Sequence, residues 1–181
     1  LITDNRGVVF AGGRNDFGLL QPDDIGRLRY RSLTGMIADR EVAASVGNII
    51  SAAADSNNVW FTDGKRMYGL GHESDSVTVT NLDADFGLGS VSALVAFDNM
   101  IILADAKGGL FAYRNDTITR IKGGEKVAQE GIVRFLPYDR DNLLIGASGK
   151  DLMLFNIRNG ILREHFSDRA AEEIMRSGSL S

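Results

Sequence analysis

The stretch that decides the fold is Ala93 to Ile121. It reads Ala93-Leu94-Val95-Ala96-Phe97, a turn at Asp98-Asn99, then Met100-Ile101-Ile102-Leu103-Ala104-Asp105. A second turn at Ala106-Lys107-Gly108 leads to Gly109-Leu110-Phe111-Ala112-Tyr113, and a third at Arg114-Asn115-Asp116 leads to Thr117-Ile118-Thr119-Arg120-Ile121. Short apolar or β-branched runs broken by Asn, Asp and Gly predict an up-and-down, four-stranded antiparallel meander. No run is long enough for an average helix, and none keeps a helical period across its turns.

The unit repeats. Moved back by about 43 residues, a common blade spacing, it meets Ile49 to Asp55, Val59-Trp60-Phe61-Thr62, Arg66 to Leu70 and Val77 to Thr80. Moved forward by about 42 residues, it meets Ile132 to Asp139, Asn142 to Gly146, Leu152 to Asn156 and Ile161 to Arg163. Ile2 to Asp4, Val8 to Gly12, Gly18 to Leu20 and Arg27 to Tyr30 make another copy with a truncated first strand. A sandwich or barrel with evenly spaced strands would give single matches of this kind. Four copies in register predict an all-β chain, a β-propeller portion of about four four-stranded blades over residues 1–32, 48–81, 91–121 and 131–166. In that alignment Leu19, Met67, Leu110 and Leu152 occupy equivalent third-strand places. The tail, 167–181, reads as a short helix capped by Ser167 or as the start of a next blade.

The inner strands, Ile49 to Ala54, Val91 to Phe97 and Ile132 to Leu136, are the most apolar, as strands covered on both faces should be. Leu33 to Gly47, Leu82 to Ser90 and Lys122 to Glu130 are the connections between units; the first could hold a helical turn or be irregular, and the other two read as polar joints. The 21 glycines and 2 prolines among 181 residues fit many tight turns. A net charge of −4 with scattered basic residues argues against double-stranded nucleic acid as a partner. The absence of cysteine excludes disulfides and thiolate metal sites. No apolar run approaches membrane-spanning length, so no direct membrane contact is expected. The chain opens at Leu1 in mid-strand and without an initiator methionine, which reads as an excerpt of a longer protein. Four blades would leave sticky edges, so further blades of a parent chain or a second copy are expected partners.

Several chemical motifs fail on inspection. His72 and His165 lack ligand partners at helical spacing and read as surface histidines. Asn81 to Gly87 resembles a calcium loop but lacks the closing glutamate, which leaves a polar connection. Gly87-Leu88-Gly89-Ser90 has no third glycine and no following helix, as a dinucleotide site would need. Ser148 lacks the glycine two residues earlier that a nucleophile elbow requires. Trp60 reads as a packing residue. No cofactor, metal or catalytic residue is expected.

Strand direction selects candidate binding residues. Successive strands run in opposite directions, so turns between second and third strands share a rim with the connections between blades. Those turns are Gly13 to Asp16, Asp63 to Lys65, Asp105 to Lys107 and Ser148 to Lys150. They supply Arg14, Asp16, Asp63, Lys65, Asp105, Lys107, Ser148 and Lys150 as ligand-binding candidates, on the kind of loop where recognition is usually placed.

Asp55 followed by Val59-Trp60-Phe61-Thr62 resembles the aspartate, turn and tryptophan-containing strand of the two-component regulator propeller repeat. Ala106 to Tyr113 is similar to its glycine–leucine third strand. Phe135 to Asp139 with Leu143 to Gly146, and Asn5 to Gly12 with Asp16 to Gly18, look like further copies. The resemblance covers about residues 2 to 166. It implies a non-enzymatic periplasmic sensor region of a hybrid histidine kinase or a related membrane-anchored transcription regulator. Such a region would bind a small molecule or oligosaccharide and pass occupancy to a signalling output. A propeller enzyme acting on polysaccharide, a lyase or hydrolase, and a protein-interaction scaffold are the alternative readings.

Overall fold

Sixteen strands form four separate sheets in the computed structural model, which describes residues 1–128, 132–147, 152–163 and 166. The first sheet holds β1 (Ile2–Thr3), β2 (Val9–Gly13), β3 (Asp16–Pro22) and β4 (Leu28–Ser32). The second holds β5 (Ser51–Ala54), β6 (Asn58–Thr62), β7 (Arg66–Gly71) and β8 (Val77–Asn81). The third holds β9 (Val91–Phe97), β10 (Met100–Asp105), β11 (Gly109–Arg114) and β12 (Thr117–Arg120). The fourth holds β13 (Ile132–Pro137), β14 (Asn142–Ala147), β15 (Met153–Asn156) and β16 (Ile161–Arg163). Strands follow one another in sequence order within every sheet and pair antiparallel with their neighbours. These are the blades of a β-propeller fold.

The connections hold short helices that the sequence left open or did not show. Leu33 to Gly47 contains a 3₁₀ turn at Thr34–Met36 and helix α1 (Arg40–Ala44). Asp39 caps α1, its Oδ1 accepting from the Glu41 and Val42 N–H groups at 2.8 and 3.2 Å. The polar joint after β8 is helix α2 (Leu82–Phe86), closed by Gly87 in the left-handed region at φ +69°. At five residues each, both helices are too short to display a hydrophobic period. The proposed helix at 167–181 lies outside the described residues.

The chain divides into two units, Leu1–Leu94 and Val95–Ser181. In the first, the two sheets pack through an aromatic core. Phe17 lies 4.7 Å from Phe61 and 5.1 Å from Tyr68 between ring centroids, and Phe10 lies 6.3 Å from Phe61. Burying one such ring stabilises by about 1.5–3 kcal/mol, before any gain from tilted ring contacts. Leu33, Ile37 and Val46 of the first connection complete this core. In the second unit, Ile101, Ile102 and Leu103 on β10 and Leu143, Leu144 and Ile145 on β14 are all buried, though neighbours along a strand face opposite ways. Both faces of these strands are therefore covered, which is why their sequences are apolar without alternation.

The register corrects one alignment. Phe17 pairs with Gly12, Met67 with Thr62 and Leu110 with Ala104, each one pair in from the residues that close its turn, Gly13–Asp16, Asp63–Arg66 and Asp105–Gly109. Phe17, not Leu19, is therefore the equivalent of Met67 and Leu110. A shift of two residues keeps a side chain on the same face of a strand, so the apolar pattern alone could not reveal it. Leu152 precedes β15, and the turn before it lies outside the described residues.

Candidate functional site

The three described second-to-third-strand turns sit against the connections. In the first unit the Ile49 N–H donates to Gly13 O at 2.9 Å. The next turn of that unit is bound on two sides: Leu82 N–H donates to Lys65 O at 2.8 Å and Val91 N–H to Gly64 O at 3.2 Å. In the second unit the turn after β10 abuts the following connection so closely that a Cβ on Gly109 would collide with Gly124 O.

Within these turns the candidate residues divide by charge. Asp63 is an internal brace. Its Oδ1 accepts from the N–H groups of Lys65 (3.0 Å) and Arg66 (2.7 Å). Its Oδ2 accepts from the Gly47 N–H at 3.1 Å and the Tyr68 hydroxyl at 2.8 Å. Burial, reinforced by the Asp63 carboxylate, pushes the Tyr68 phenol above its ordinary range, so it donates as a neutral hydroxyl. Asp105 is buried, and its Oδ2 accepts from the Lys107 and Gly108 N–H groups at 3.1 and 2.6 Å. Asp16 accepts from the Ser32 hydroxyl at 2.7 Å. Burial and this Asp16 charge push the Tyr30 phenol up to about 12. An aspartate that bonds backbone two or three residues on holds a turn in shape, which explains why the motif recurs from sheet to sheet.

The cations do the opposite. Arg14, Lys65 and Lys107 are exposed, and their side chains make no hydrogen bond or ion pair among the described residues. Ser148 and Lys150 lie outside the described residues.

A second set of corners, between first and second strands, supplied no binding candidate from the sequence. Asp4 and Asp55 brace these turns in the first unit: Asp55 Oδ1 accepts from the Asn57 and Asn58 N–H groups, and its Oδ2 from Trp60 Nε1 at 2.8 Å. Asp4 accepts from the N–H groups of Arg6 and Val8 at 3.0 and 2.9 Å, and Arg6 Nη2 lies 3.1 Å from its Oδ2. His72 is corrected here from a surface residue to a mostly buried one: its side chain is 12% exposed, with Nε2 3.5 Å from the fully buried Asp4 carboxylate. Asp4 and His72 belong to different sheets, so no local spacing could announce the pair. Arg6, Asn57, His72 and Glu73 line a cleft of about 740 Å³ at this corner. His165 lies outside the described residues.

The second unit has its own cleft at the equivalent corner, about 430 Å³, lined by Phe97, Asp98, Pro137, Tyr138, Arg140 and Arg158 among others. Three consecutive charged residues, Asp139-Arg140-Asp141, were the signal that alignment of first-strand turns could have raised.

No protein-family model matches the sequence, and no curated protein matches it. Likeness appears among solved structures. The extracellular domain assigned to the one-component system BT4673 of B. thetaiotaomicron is 13% identical, with a TM-score of 0.59, over 92% of this chain and 22% of that one. BamB from Moraxella catarrhalis is 14% identical with a TM-score of 0.54, over 90% of this chain and 46% of that one. YCF48 bound to D1 peptide is 6% identical with a TM-score of 0.54, over 85% of this chain and 50% of that one. The chain therefore spans half or less of each of these proteins. They are β-propeller proteins, and at such low identity the likeness establishes the fold and nothing finer.

Proposed function

We propose that this chain is a ligand-sensing β-propeller region, without enzymatic activity of its own, from an extracytoplasmic bacterial sensor of the two-component regulator propeller kind. It recognises a small acidic ligand, a sugar acid or acidic oligosaccharide, through exposed cations of the second-to-third-strand turns: Arg14 and Lys65 in the first unit, Lys107 in the second, and Lys150 in the same sequence role. The observation that carries this reading is the division of labour in the turns. Asp63 and Asp105 turn inward and hold the backbone, while the cations stand exposed and unpaired among the described residues. Fixed turns presenting free cations lose little entropy when they bind an anion. The same arrangement weighs against a propeller lyase or hydrolase, because Asp63 and Asp105 are occupied by turn N–H groups instead of facing a substrate.

The output of the parent protein is a kinase or transcription module, biased by ligand occupancy between two arrangements of the sensor. Further blades or a second copy cover the outer edges. Likeness in fold to an extracellular domain is in keeping with a periplasmic place.

The test is thermal shift of the full chain against galacturonate and glucuronate oligomers and small dicarboxylates at low salt. At 100 times Kd a ligand adds about 2.7 kcal/mol, a rise of several degrees for a chain of this size. The shift should fall with added salt and vanish in the Arg14→Gln, Lys65→Gln, Lys107→Gln triple variant. Silence of every compound, or an undiminished shift in the triple variant, overturns the reading.

A further inference from the structure

We propose that the cleft of the second unit is a separate binding site for a small carboxylate with an aromatic body, held by Arg140 and Arg158 over a floor of Phe97 and Pro137. It does not use the rim cations and does not depend on them.

The cleft forms where the turn after β9 meets the turn after β13 and the turn after β15. Its volume of about 430 Å³ falls within the range of small-molecule sites, about 300–1,000 Å³. Ala96, Phe97 and Pro137 supply apolar surface, and Tyr138 adds an aromatic wall. The Tyr138 ring is set edge-on against Phe166, with centroids 5.3 Å apart and planes at 78°, so its orientation is fixed before a ligand arrives.

The charged groups in the lining are Asp98, Asp139, Arg140 and Arg158. Asp139 is engaged by its own turn: Oδ1 accepts from the Asp141 and Asn142 N–H groups at 2.8 and 2.9 Å, and Asn142 Nδ2 bonds both oxygens at 2.8 Å. Those bonds, the Asp141 N–H first, hold its carboxyl below the usual carboxylate range. Arg158 is anchored through Nε to the Asp141 carboxylate. Its two Nη groups carry no bond among the described residues. Arg140 is exposed and makes no side-chain hydrogen bond or ion pair among the described residues. Two guanidinium forks with unused donors therefore face the same cleft, and planar bidentate pairing with a carboxylate is what such forks suit.

The equivalent corner of the first unit shows the contrast. There the arginine, Arg6, is tied to the buried Asp4 carboxylate and donates to His72 O at 3.4 Å. The arginine of that cleft is engaged by its own corner, whereas Arg140 and the Nη groups of Arg158 in the second unit are open among the described residues. Asp98, exposed on the other wall, adds a place for a cationic group beside the carboxylate. The ligand is then either a simple aryl acid or an aromatic amino acid, and the experiment separates them.

Calorimetric titration of the full chain with 3-phenylpropionate, L-phenylalanine and neutral 3-phenylpropionamide tests the site. Saturable binding of at least one acid, with the amide weaker by about tenfold or more, is expected. Arg140→Gln should weaken the acid by about tenfold, Tyr138→Ala should weaken acid and amide alike, and Arg27→Gln, at an exposed arginine of the first unit, should change nothing. Preference for L-phenylalanine that disappears in Asp98→Asn assigns the amino-acid form; equal affinity for both acids assigns the aryl acid. No saturation by either acid below about 10 mM, equal binding of the amide, or an unchanged affinity in Arg140→Gln overturns the proposal. Arg140 is an exposed turn residue, and a wild-type unfolding curve for its variant keeps a null result interpretable.

Discussion

The Tyr68 hydroxyl donates to Asp63 Oδ2 at 2.8 Å, and with it a side chain of β7 locks a turn that also receives the Gly47 N–H from the preceding connection. One carboxylate thereby joins a strand, its own turn and a loop that arrives from the neighbouring sheet.

Asp63→Ala removes the acceptor of four hydrogen bonds and leaves donors unsatisfied. A loss of about 2–4 kcal/mol is expected, against about 1 kcal/mol for Tyr68→Phe. Urea unfolding followed by Trp60 fluorescence measures both, since Trp60 is the sole tryptophan and sits in the same sheet. Equal losses in the two variants would show that the turn amides contribute nothing.

Tyr68 makes a second prediction, in alkali. Its phenol lies above the ordinary value of 10.0 in the folded chain because of burial and then of Asp63. The stabilisation linked to it is complete below about pH 10 and is lost as the pH rises above that value, where the unfolded chain releases the proton first. Tyr30 contributes in the same sense between its ordinary 10.0 and about 12. Unfolding free energy should fall more gently above about pH 10 in Tyr68→Phe than in wild type.

Asp4 sets the opposite limit. Its burial raises the carboxyl pKa, but the Val8 N–H and the Arg6 contacts outweigh that and leave it below the ordinary 3.8. Its contribution is present above that value and lost as the pH falls below it toward the lowered folded value. The difference in Tm between wild type and Asp4→Asn, measured from pH 7 down to about pH 3, should shrink only at the acid end. A difference that stays constant would place the effect in packing.

Gly160 carries a backbone constraint. Its φ is +71°, and a Cβ there would collide with Lys122 O while Gly123 Cα stands 3.1 Å away. Gly160 O also accepts from Lys126 Nζ at 2.8 Å. Gly160→Ala should cost about 2 kcal/mol or more, because the left-handed backbone and the contact both oppose a side chain. Circular dichroism on chemical unfolding reads the loss, and a change under about 0.5 kcal/mol would mean that the connection yields.

Phe17 fills the core of the first unit between Phe61 and Tyr68, so Phe17→Ala should cost about 3–5 kcal/mol. Leu19→Ala, two residues along the same strand face, should cost less if Phe17 is the true equivalent of Met67. Urea midpoints of the two variants measure the difference.

The repeated meander was legible in the order of residues because apolar runs and their Asn, Asp and Gly breaks are local properties, set by pleat and turn geometry. The rim was legible for the same reason: strand direction alone puts Gly13 to Asp16 and Asp63 to Lys65 beside the connections. Sequence order did not show that Asp63 and Asp105 face inward while Lys65 and Lys107 face out, since all four are polar turn residues. It placed Leu19 where Phe17 belongs, because a slide of two preserves the face. It left His72 on the surface, because the Asp4 that it approaches belongs to another sheet. The cleft of Phe97, Tyr138, Arg140 and Arg158 likewise exists only after two sheets are packed together. Short-range alternation determines which strands form; which charges are shared and which are left open depends on groups far apart in sequence that only packing brings within a few ångströms.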